Sequence, residues 1–281
     1  MAETRTIELG PDRSLHAVTT GEGPDVLLVH GALETGHDWL AWPVDRLVAE
    51  GCRVTVIDRP GHGLSRRPRF EGTPRAQAKQ IHEGLEALGI ERPVILSHSY
   101  GGIASLAYAD QFPDAVGALV MVAPIAFPEP RLIEHTLLAP RSIPFFGPLI
   151  STAAELTIDR AMLKLIQKLM FSPQDVPDAW ESSFPYDRLL DVAAMVFQGE
   201  DMAAILPMAP AGLVNVARIE TPAHILLGTS DKIVEHALQG RLLGQLMPKA
   251  GVTEAQGIGH MLHHARPELV IGAVKEALAL A

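Results

Sequence analysis

Residues Ser97–Gly102, with the sequence SHSYGG, decide the fold of this chain. An apolar run, Pro93–Leu96, precedes them, and a run of small and apolar residues, Ile103–Tyr108, follows them. This order predicts a strand, a sharp turn and a helix, with Ser99 at the centre of the turn. The turn strains the backbone at that serine, so the residues two positions away must be small. Ser97 satisfies this requirement, although the G-x-S-x-G pattern has glycine there.

A turn of this kind has a chemical interpretation and a purely structural one. In the chemical interpretation the turn holds the Ser99 hydroxyl above the sheet and directs the backbone N–H of Tyr100 into the same space. In the structural interpretation Ser99 only caps the start of a helix. The six residues alone leave both open.

Composition excludes several classes of protein. The chain has 281 residues, of which 47% are hydrophobic and 20% charged, as in a soluble globular protein with a large core. Its formal charge of −10 disfavours nucleic acid and anionic membranes as partners. Cys52 is the only cysteine, so no intramolecular disulfide can form. We find no secretory signal and no apolar run near the ~20 residues of a membrane span, and we expect a cytoplasmic protein.

The remaining chain predicts strands that alternate with helices. An opening hairpin and five further strands are predicted at Thr4–Leu9, Ser14–Thr20, Asp25–Val29, Arg53–Asp58, Gly117–Val122, Ala223–Leu227 and Gly251–Ala255. Helices are predicted at Trp39–Glu50, Thr73–Leu88, His236–Leu246 and Pro267–Leu280. This alternation is typical of the α/β class, with a mostly parallel sheet flanked by helices.

The run from Phe127 to Ala217 breaks the alternation. It begins rich in proline, becomes helical in its periodicity around Ala153–Met170, and contains most of the aromatic residues. We predict a helical cap at residues 127–217, inserted into a core formed by residues 1–126 and 218–281.

Two residues are suited to activate the Ser99 hydroxyl. Asp231 follows the predicted strand Ala223–Leu227, and His260 lies in the loop after the last predicted strand. The carboxyl ends of parallel strands are where catalytic groups collect in open α/β sheets. A serine hydroxyl needs a base to take its proton and a carboxylate to orient that base. The chain therefore predicts a triad of Ser99, His260 and Asp231.

Acyl transfer also needs hydrogen-bond donors for the oxyanion that forms during attack. The backbone N–H of Tyr100 is one candidate. The loop that begins with His30-Gly31 can supply the N–H of Ala32 as the second. A plain tight turn at His30-Gly31 is compatible with that role.

Together these segments resemble the α/β-hydrolase superfamily, in particular its serine esterase, lactonase and cofactor-free haloperoxidase branch. The resemblance rests on the turn at Ser99 and on four further segments, His30–Trp39, Asp58–Ser65, Gly228–Asp231 and Gly259-His260. It covers about residues 25–126 and 218–281 but not the cap. It implies an α/β-hydrolase fold in which Ser99 occupies the nucleophile elbow. Epoxide hydrolases and haloalkane dehalogenases of this superfamily use a carboxylate there, so a serine implies attack on carbonyl carbon.

Other polar residues are weaker candidates for catalysis. His62 is expected to be structural, His98 to face away from the pocket, and His263 or His264 at most to line the entrance. Asp201 and Glu129 are acids near the cap that end no core strand, so Asp231 is preferred. No histidine spacing with a third ligand indicates a metal, and no phosphate-binding loop indicates a nucleotide. We expect no metal and no cofactor.

The leading hypothesis is a hydrolase that cleaves esters, lactones or thioesters through an acyl-enzyme. Alternatives are perhydrolysis at the same triad and a ligand-binding protein with negligible turnover. The predicted substrate contacts are Trp39, Phe127, Phe145 and Phe146, and the apolar cap residues Leu137, Leu138, Leu149 and Ile150 would suit an acyl or aryl group. These cap side chains could equally form the cap's own core. The natural substrate and the choice between monomer and homo-oligomer stay open.

Overall fold

An eight-stranded sheet organises the protein, as a computed structural model shows. The structure describes residues 2–42, 44–129, 133–205 and 214–281, apart from the side chains of residues 133 and 134. The strands are β1 (Glu3–Gly10), β2 (Arg13–Thr20), β3 (Asp25–Val29), β4 (Arg53–Ile57), β5 (Val94–His98), β6 (Ala118–Val122), β7 (Ala223–Gly228) and β8 (Ala250–Ala255). Their order is β1-β2-β4-β3-β5-β6-β7-β8. The opening hairpin is antiparallel, as is β2 against β4, and all other neighbours are parallel.

Helices cover both faces of the sheet, which confirms the predicted α/β-hydrolase fold. Alternate residues of β3 lie on opposite faces, since Leu27 belongs to one buried apolar cluster and Leu28 to the other. The first cluster includes residues of α3 (Pro74–Leu88), α4 (Tyr100–Gln111) and the chain between β6 and β7. The second includes residues of α1 (His37–Leu40), α2 (Val44–Ala49) and α13 (Pro267–Leu278). Burial on both faces explains why β3 is apolar without polar alternation.

Most helix ends agree with the local sequence signals. The Thr73 side chain accepts a hydrogen bond from the N–H of Ala76 at the start of α3, and Gly89 ends α3 in a left-handed conformation. The predicted helix Trp39–Glu50 is instead two helices, α1 and α2. The sequence places Pro43, which lies outside the described residues, between them, and a proline removes a hydrogen bond from a helix interior.

Two further predicted helices are each divided into two elements in the structure. The segment around Ala153–Met170 is divided between α6 (Phe146–Glu155) and α7 (Asp159–Phe171). The segment His236–Leu246 is a π-helical stretch, Ala237–Leu242, followed by the short helix α11 (Leu243–Leu246). Apolar periodicity identifies helical segments more reliably than it identifies where they break.

The described chain between β6 and β7 contains helices and no strand. Besides α6 and α7 these are α5 (Ile133–Leu138), α8 (Asp178–Ser183), α9 (Tyr186–Leu189) and α10 (Val192–Ala204). Residues 130–132 and 206–213 of the predicted cap lie outside the described residues, and the bounds 127 and 217 stay predictions. After β8 the short helix α12 (Leu262–Ala265) precedes α13. No helix in the described residues is long and apolar enough to cross a membrane.

Candidate active site

Ser99 lies in a strained turn between β5 and α4. Its backbone has φ 50° and ψ −118°, a conformation that few non-glycine residues adopt. The backbone at Gly101 packs tightly against β3, because a Cβ on Gly101 would lie 2.6 Å from the carbonyl oxygen of Val29. Ser97 is fully buried, and its hydroxyl has no hydrogen-bond partner among the described residues. The chain therefore forms the predicted elbow with serine in place of the first glycine.

Asp231 and His260 form a buried carboxylate–imidazole pair. The Nδ1 of His260 lies 2.7 Å from Oδ2 of Asp231. The other carboxylate oxygen accepts the backbone N–H groups of Ile233 and Val234, at 2.7 Å and 3.0 Å. Burial by itself would raise the pKa of Asp231, but His260 and these hydrogen bonds lower it below its ordinary value. Beside an ionised Asp231, an imidazole that carries its proton on Nδ1 has its lone pair on Nε2, which is the atom that can act as a base.

The segment between β6 and β7, which is predicted to be the cap and is called the cap below, packs directly on the loop that carries His260. The backbone N–H of His260 donates to the carbonyl oxygen of Met170, near the end of α7, at 3.1 Å. The N–H of Gly259 donates to the side chain of Gln174 at 2.9 Å. A Cβ on Gly259 would lie 2.1 Å from the carbonyl oxygen of Ser172, so this position needs glycine. The loop is therefore held between the core and the cap.

The two residues predicted to supply the oxyanion donors both belong to segments that adjoin Ser99. Tyr100 is the first residue of α4, where a backbone N–H has no partner within the helix. The loop containing Ala32 lies against the nucleophile, since a Cβ on Gly31 would be 3.0 Å from the Cβ of Ser99. Ser99 is 5% exposed, so the cluster is largely closed to solvent. The assignment of these two N–H groups stays a prediction.

The structure places the four predicted substrate contacts in different surroundings, and their role stays a prediction. Trp39 is fully buried in the second apolar cluster, packed against Trp42 and His263. Phe145 and Phe146 are 88% and 64% exposed. They lie at the start of α6, whose buried residues are small, so this helix turns its large side chains outward. Phe127 is partly buried against the first apolar cluster, and its role as a contact stays a prediction.

The other apolar residues that were expected to suit an acyl or aryl group are divided between buried and exposed positions. Leu138 is buried in the first apolar cluster. The remaining three are exposed: Leu137, Leu149 and Ile150. Apolar composition predicted contact with a ligand, but it cannot tell the inner from the outer face of a short helix.

His62 and Asp201 form a second carboxylate–imidazole pair. The Nε2 of His62 lies 2.7 Å from Oδ2 of Asp201, and its Nδ1 lies 3.2 Å from the side-chain amide of Gln198. The His62 ring therefore contacts two side chains of α10, as is expected of a structural residue. Burial, and then the charge of Arg59, lower the pKa of His62 to about 4, so the ring is neutral near pH 7.

A third group of buried ionisable side chains lies beside the elbow. Asp38 accepts hydrogen bonds from His263 and His264, both at 2.8 Å, and from Trp180 of α8 at 2.9 Å. Burial lowers the pKa of His263 to about 3, so this ring is neutral and cannot line an entrance as a charged group. Asp38 thus has three hydrogen-bond donors, whereas Nδ1 of His263 has no hydrogen-bond partner among the described residues. The absence of a metal stays a prediction.

The side chain of His98 lies in the protein interior, as expected, and both of its ring nitrogens contact polar groups there. Its Nδ1 lies 3.1 Å from the carboxylate of Glu34, and its Nε2 lies 3.2 Å from the backbone carbonyl of His260. Glu129, the other acid that was considered, accepts the N–H of Glu235 and the side chain of Gln239. Sequence reasoning missed Glu34, and its position four residues after His30 was the one available signal.

Comparisons with known proteins concern the family and the fold. A model described as the alpha/beta hydrolase family matches residues 26–273. An uncharacterized protein of Mycobacterium tuberculosis is 36% identical over 103 residues, which are 37% of this chain and 30% of that protein. The chain thus matches less than a third of that relative's length.

Two solved structures share the fold over nearly the whole chain. An epoxide hydrolase, CorEH, has a TM-score of 0.79 at 18% identity and covers 99% of both chains. An esterase from Exiguobacterium antarcticum has a TM-score of 0.76 at 17% identity and covers 95% of this chain and 96% of its own. At these identities the likeness concerns the fold alone.

Proposed function

Because this chain belongs to the alpha/beta hydrolase family, we propose that it is a serine hydrolase that cleaves carboxylic esters, including lactones and thioesters. One observation carries the proposal: a buried His260 whose Nδ1 is bound to Asp231 at 2.7 Å, on the sheet edge where the strained Ser99 turn ends β5. The Nε2 of that ring is then a base for a serine hydroxyl.

The reaction follows from these roles. Ser99 Oγ attacks the carbonyl carbon while His260 Nε2 takes its proton. The carbonyl oxygen becomes an oxyanion that accepts the N–H groups of Ala32 and Tyr100. His260 returns the proton to the leaving alcohol, which leaves an acyl group on Ser99. Water, activated by the same imidazole, then releases the acid and restores the hydroxyl.

The elbow residue separates this activity from epoxide opening, which the name of one structural relative suggests. An ester bond between a carboxylate and an alkyl carbon can be hydrolysed at its carbonyl, whereas an ether bond to a serine has no carbonyl for water to attack. A serine nucleophile therefore turns over only when it forms an acyl or similarly electrophilic intermediate. The fold is shared with epoxide hydrolases, but Ser99 favours carbonyl substrates.

A serine-directed fluorophosphonate and a p-nitrophenyl ester test the proposal together. We expect one adduct per chain, assigned by peptide fragmentation to Ser99, and ester turnover that Ser99→Ala abolishes. Ser97→Ala and Ser105→Ala are matched controls on the same peptide and should retain labelling. An adduct elsewhere, or no adduct, would refute the assignment. Labelling without turnover would support the ligand-binding alternative, and a peroxide-dependent product would support perhydrolysis.

A further inference from the structure

The peptide unit that joins Gly31 to Ala32 is held from its carbonyl side. The Gly31 oxygen accepts Arg59 Nη2 at 2.9 Å and lies 2.8 Å from His30 Nδ1. His30 Nε2 accepts the backbone N–H of Arg59, so the proton of this neutral ring is on Nδ1 and is donated to Gly31. In a planar trans peptide, fixing the carbonyl oxygen also fixes the N–H on the opposite side. That N–H is the Ala32 group assigned to the oxyanion.

The preceding peptide unit is held at both ends as well. Arg59 Nε donates to the carbonyl oxygen of His30 at 3.0 Å. The N–H of Gly31 donates to the buried carboxylate of Glu34 at 2.7 Å. One guanidinium therefore binds two successive carbonyl groups of the loop, which a single ammonium group could not do with the same geometry.

The same guanidinium contacts the residue that supplies the second donor. The Cζ of Arg59 lies 4.5 Å from the centre of the Tyr100 ring. Attraction between the cation and the ring face holds Tyr100 from its side-chain end. Arg59 thus contacts Tyr100 and the carbonyl oxygen of the peptide unit that carries the Ala32 N–H, while it is itself fully buried.

The cap supplies the charge that balances Arg59. Asp201, in α10, accepts Arg59 Nη1 at 2.8 Å and Arg67 Nη2 at 3.1 Å. Its carboxylate also contacts His62 at 2.7 Å and accepts the side-chain amide of Gln77 at 3.0 Å. Asp201 is fully buried, so a guanidinium left without this carboxylate would be an uncompensated charge in the interior.

We propose that Asp201 is a positioning residue for the oxyanion donors and acts on them through Arg59. This inference rests on the proposed function. Through Asp201 the cap would then contribute to catalysis without contact with the substrate. The carboxylate keeps Arg59 on the carbonyls of His30 and Gly31, and these carbonyls keep the Ala32 N–H directed at the oxyanion.

The test is Asp201→Asn, which keeps the shape of the side chain and removes its charge. Loss of an oxyanion donor costs ~10²–10³ in kcat, so a displaced donor should cost about 10- to 100-fold with KM nearly unchanged. A trifluoromethyl ketone inhibitor reports the same donors. When Ser99 Oγ bonds to its carbonyl carbon, the proton passes to His260 and the carbonyl oxygen becomes an oxyanion. The inhibition constant should rise by the same factor as kcat/KM falls.

Glu200→Gln is the matched control on the neighbouring position. Glu200 is also buried and ion-paired, and its partners are Arg69, the N–H of Phe70 and Arg67, which it shares with Asp201. Among the described residues, none of these three is hydrogen-bonded to the loop at Gly31. This variant should lose thermal stability to a similar extent, with kcat and the ketone inhibition constant within about threefold of the wild type. If Asp201→Asn changes kcat and ketone binding no more than Glu200→Gln does, the proposal is wrong.

Two further measurements keep the proposal testable if Asp201→Asn folds poorly or the protein is not an esterase. Arg59→Lys keeps the positive charge but loses the guanidinium group that donates to two carbonyl groups at once. This variant should show the same parallel loss of kcat and ketone affinity. Hydrogen exchange at residues 30–36 should accelerate in Asp201→Asn and not in Glu200→Gln, whatever the substrate. A wild-type protein without ester turnover or ketone binding would refute the proposed function alone. Unchanged exchange at residues 30–36 would refute the positioning role alone.

Discussion

The pairs Asp231–His260 and Asp201–His62 have the same 2.7 Å separation between oxygen and nitrogen, and both are buried. Their surroundings differ. Asp201 also binds the guanidinium groups of Arg59 and Arg67, and the second ring nitrogen of His62 accepts the amide of Gln198. Asp231 instead accepts backbone N–H groups and lies at the carboxyl end of β7. A short carboxylate–imidazole contact is thus not by itself a catalytic signature, because its neighbours decide whether the ring can exchange a proton.

The largest expected effect separates the two pairs by activity. His260→Ala should lower kcat by at least ~10³-fold, because removing the base leaves only binding and oxyanion stabilisation. His62→Ala should lower thermal stability and should retain far more activity. Steady-state kinetics and melting temperatures of both variants check this. Loss of activity in His62→Ala that equals the loss in His260→Ala would erase the distinction.

The next effect separates the pairs by stability in acid. Burial and Arg59 lower the pKa of His62 from its ordinary value of 6.5 to about 4, so the unfolded chain binds a proton here that the folded protein excludes. Stability from this group is complete above pH 6.5 and is lost as pH falls toward 4, by about 3 kcal/mol at 1.36 kcal/mol per unit. Urea unfolding of wild type and His62→Gln at pH 7 and pH 4 measures it.

His62→Gln should be less stable than wild type at pH 7 but should lose less stability between the two pH values. The remaining acid sensitivity belongs in part to His263, whose pKa burial lowers to about 3. Parallel pH profiles for the variant and the wild type would show that His62 is not the group that titrates.

A third prediction uses the pH dependence of activity. The kcat/KM of the free enzyme should rise with pH along one ionisation near neutrality, which reports the catalytic imidazole, with a tenfold loss per pH unit on its acid side. His62→Gln should leave the position of that ionisation unchanged, since His62 is already neutral in this range. A profile that is flat between about pH 5 and 8 would contradict a histidine base.

The smallest effects should come from residues remote from both pairs. Phe145→Ala and Phe146→Ala remove side chains that are mostly exposed, so each should change the free energy of unfolding by no more than about 0.5 kcal/mol. The preference for acyl-chain length, measured as kcat/KM over a series of esters, should also stay the same. A shift in the preferred acyl-chain length would show that these rings contact the substrate. The exposed face of α6 would then be part of the binding site.

Local sequence signals predicted much of the fold. The strand Asp25–Val29 and the end of α3 before Gly89 were located to the residue, because an apolar run between turn residues and a left-handed glycine are local features. Helix breaks were missed where tertiary packing ends a periodic segment, as between α6 and α7. The cap's exposed face was missed because composition does not specify which side of a helix is buried.

The sequence alone determined the strained turn at Ser99 and the order of Ser99, Asp231 and His260 at the ends of strands, since each depends on a strand and its next few residues. Only the tertiary structure decided which acid meets which histidine. His62 and Asp201 are 139 residues apart in the chain, and His263 reaches Asp38 across 225. Such contacts form only when distant parts of the chain pack against one another, and no local pattern encodes them. The burial of Trp39 and the guanidinium that joins the cap to the loop at Gly31 were decided in the same way.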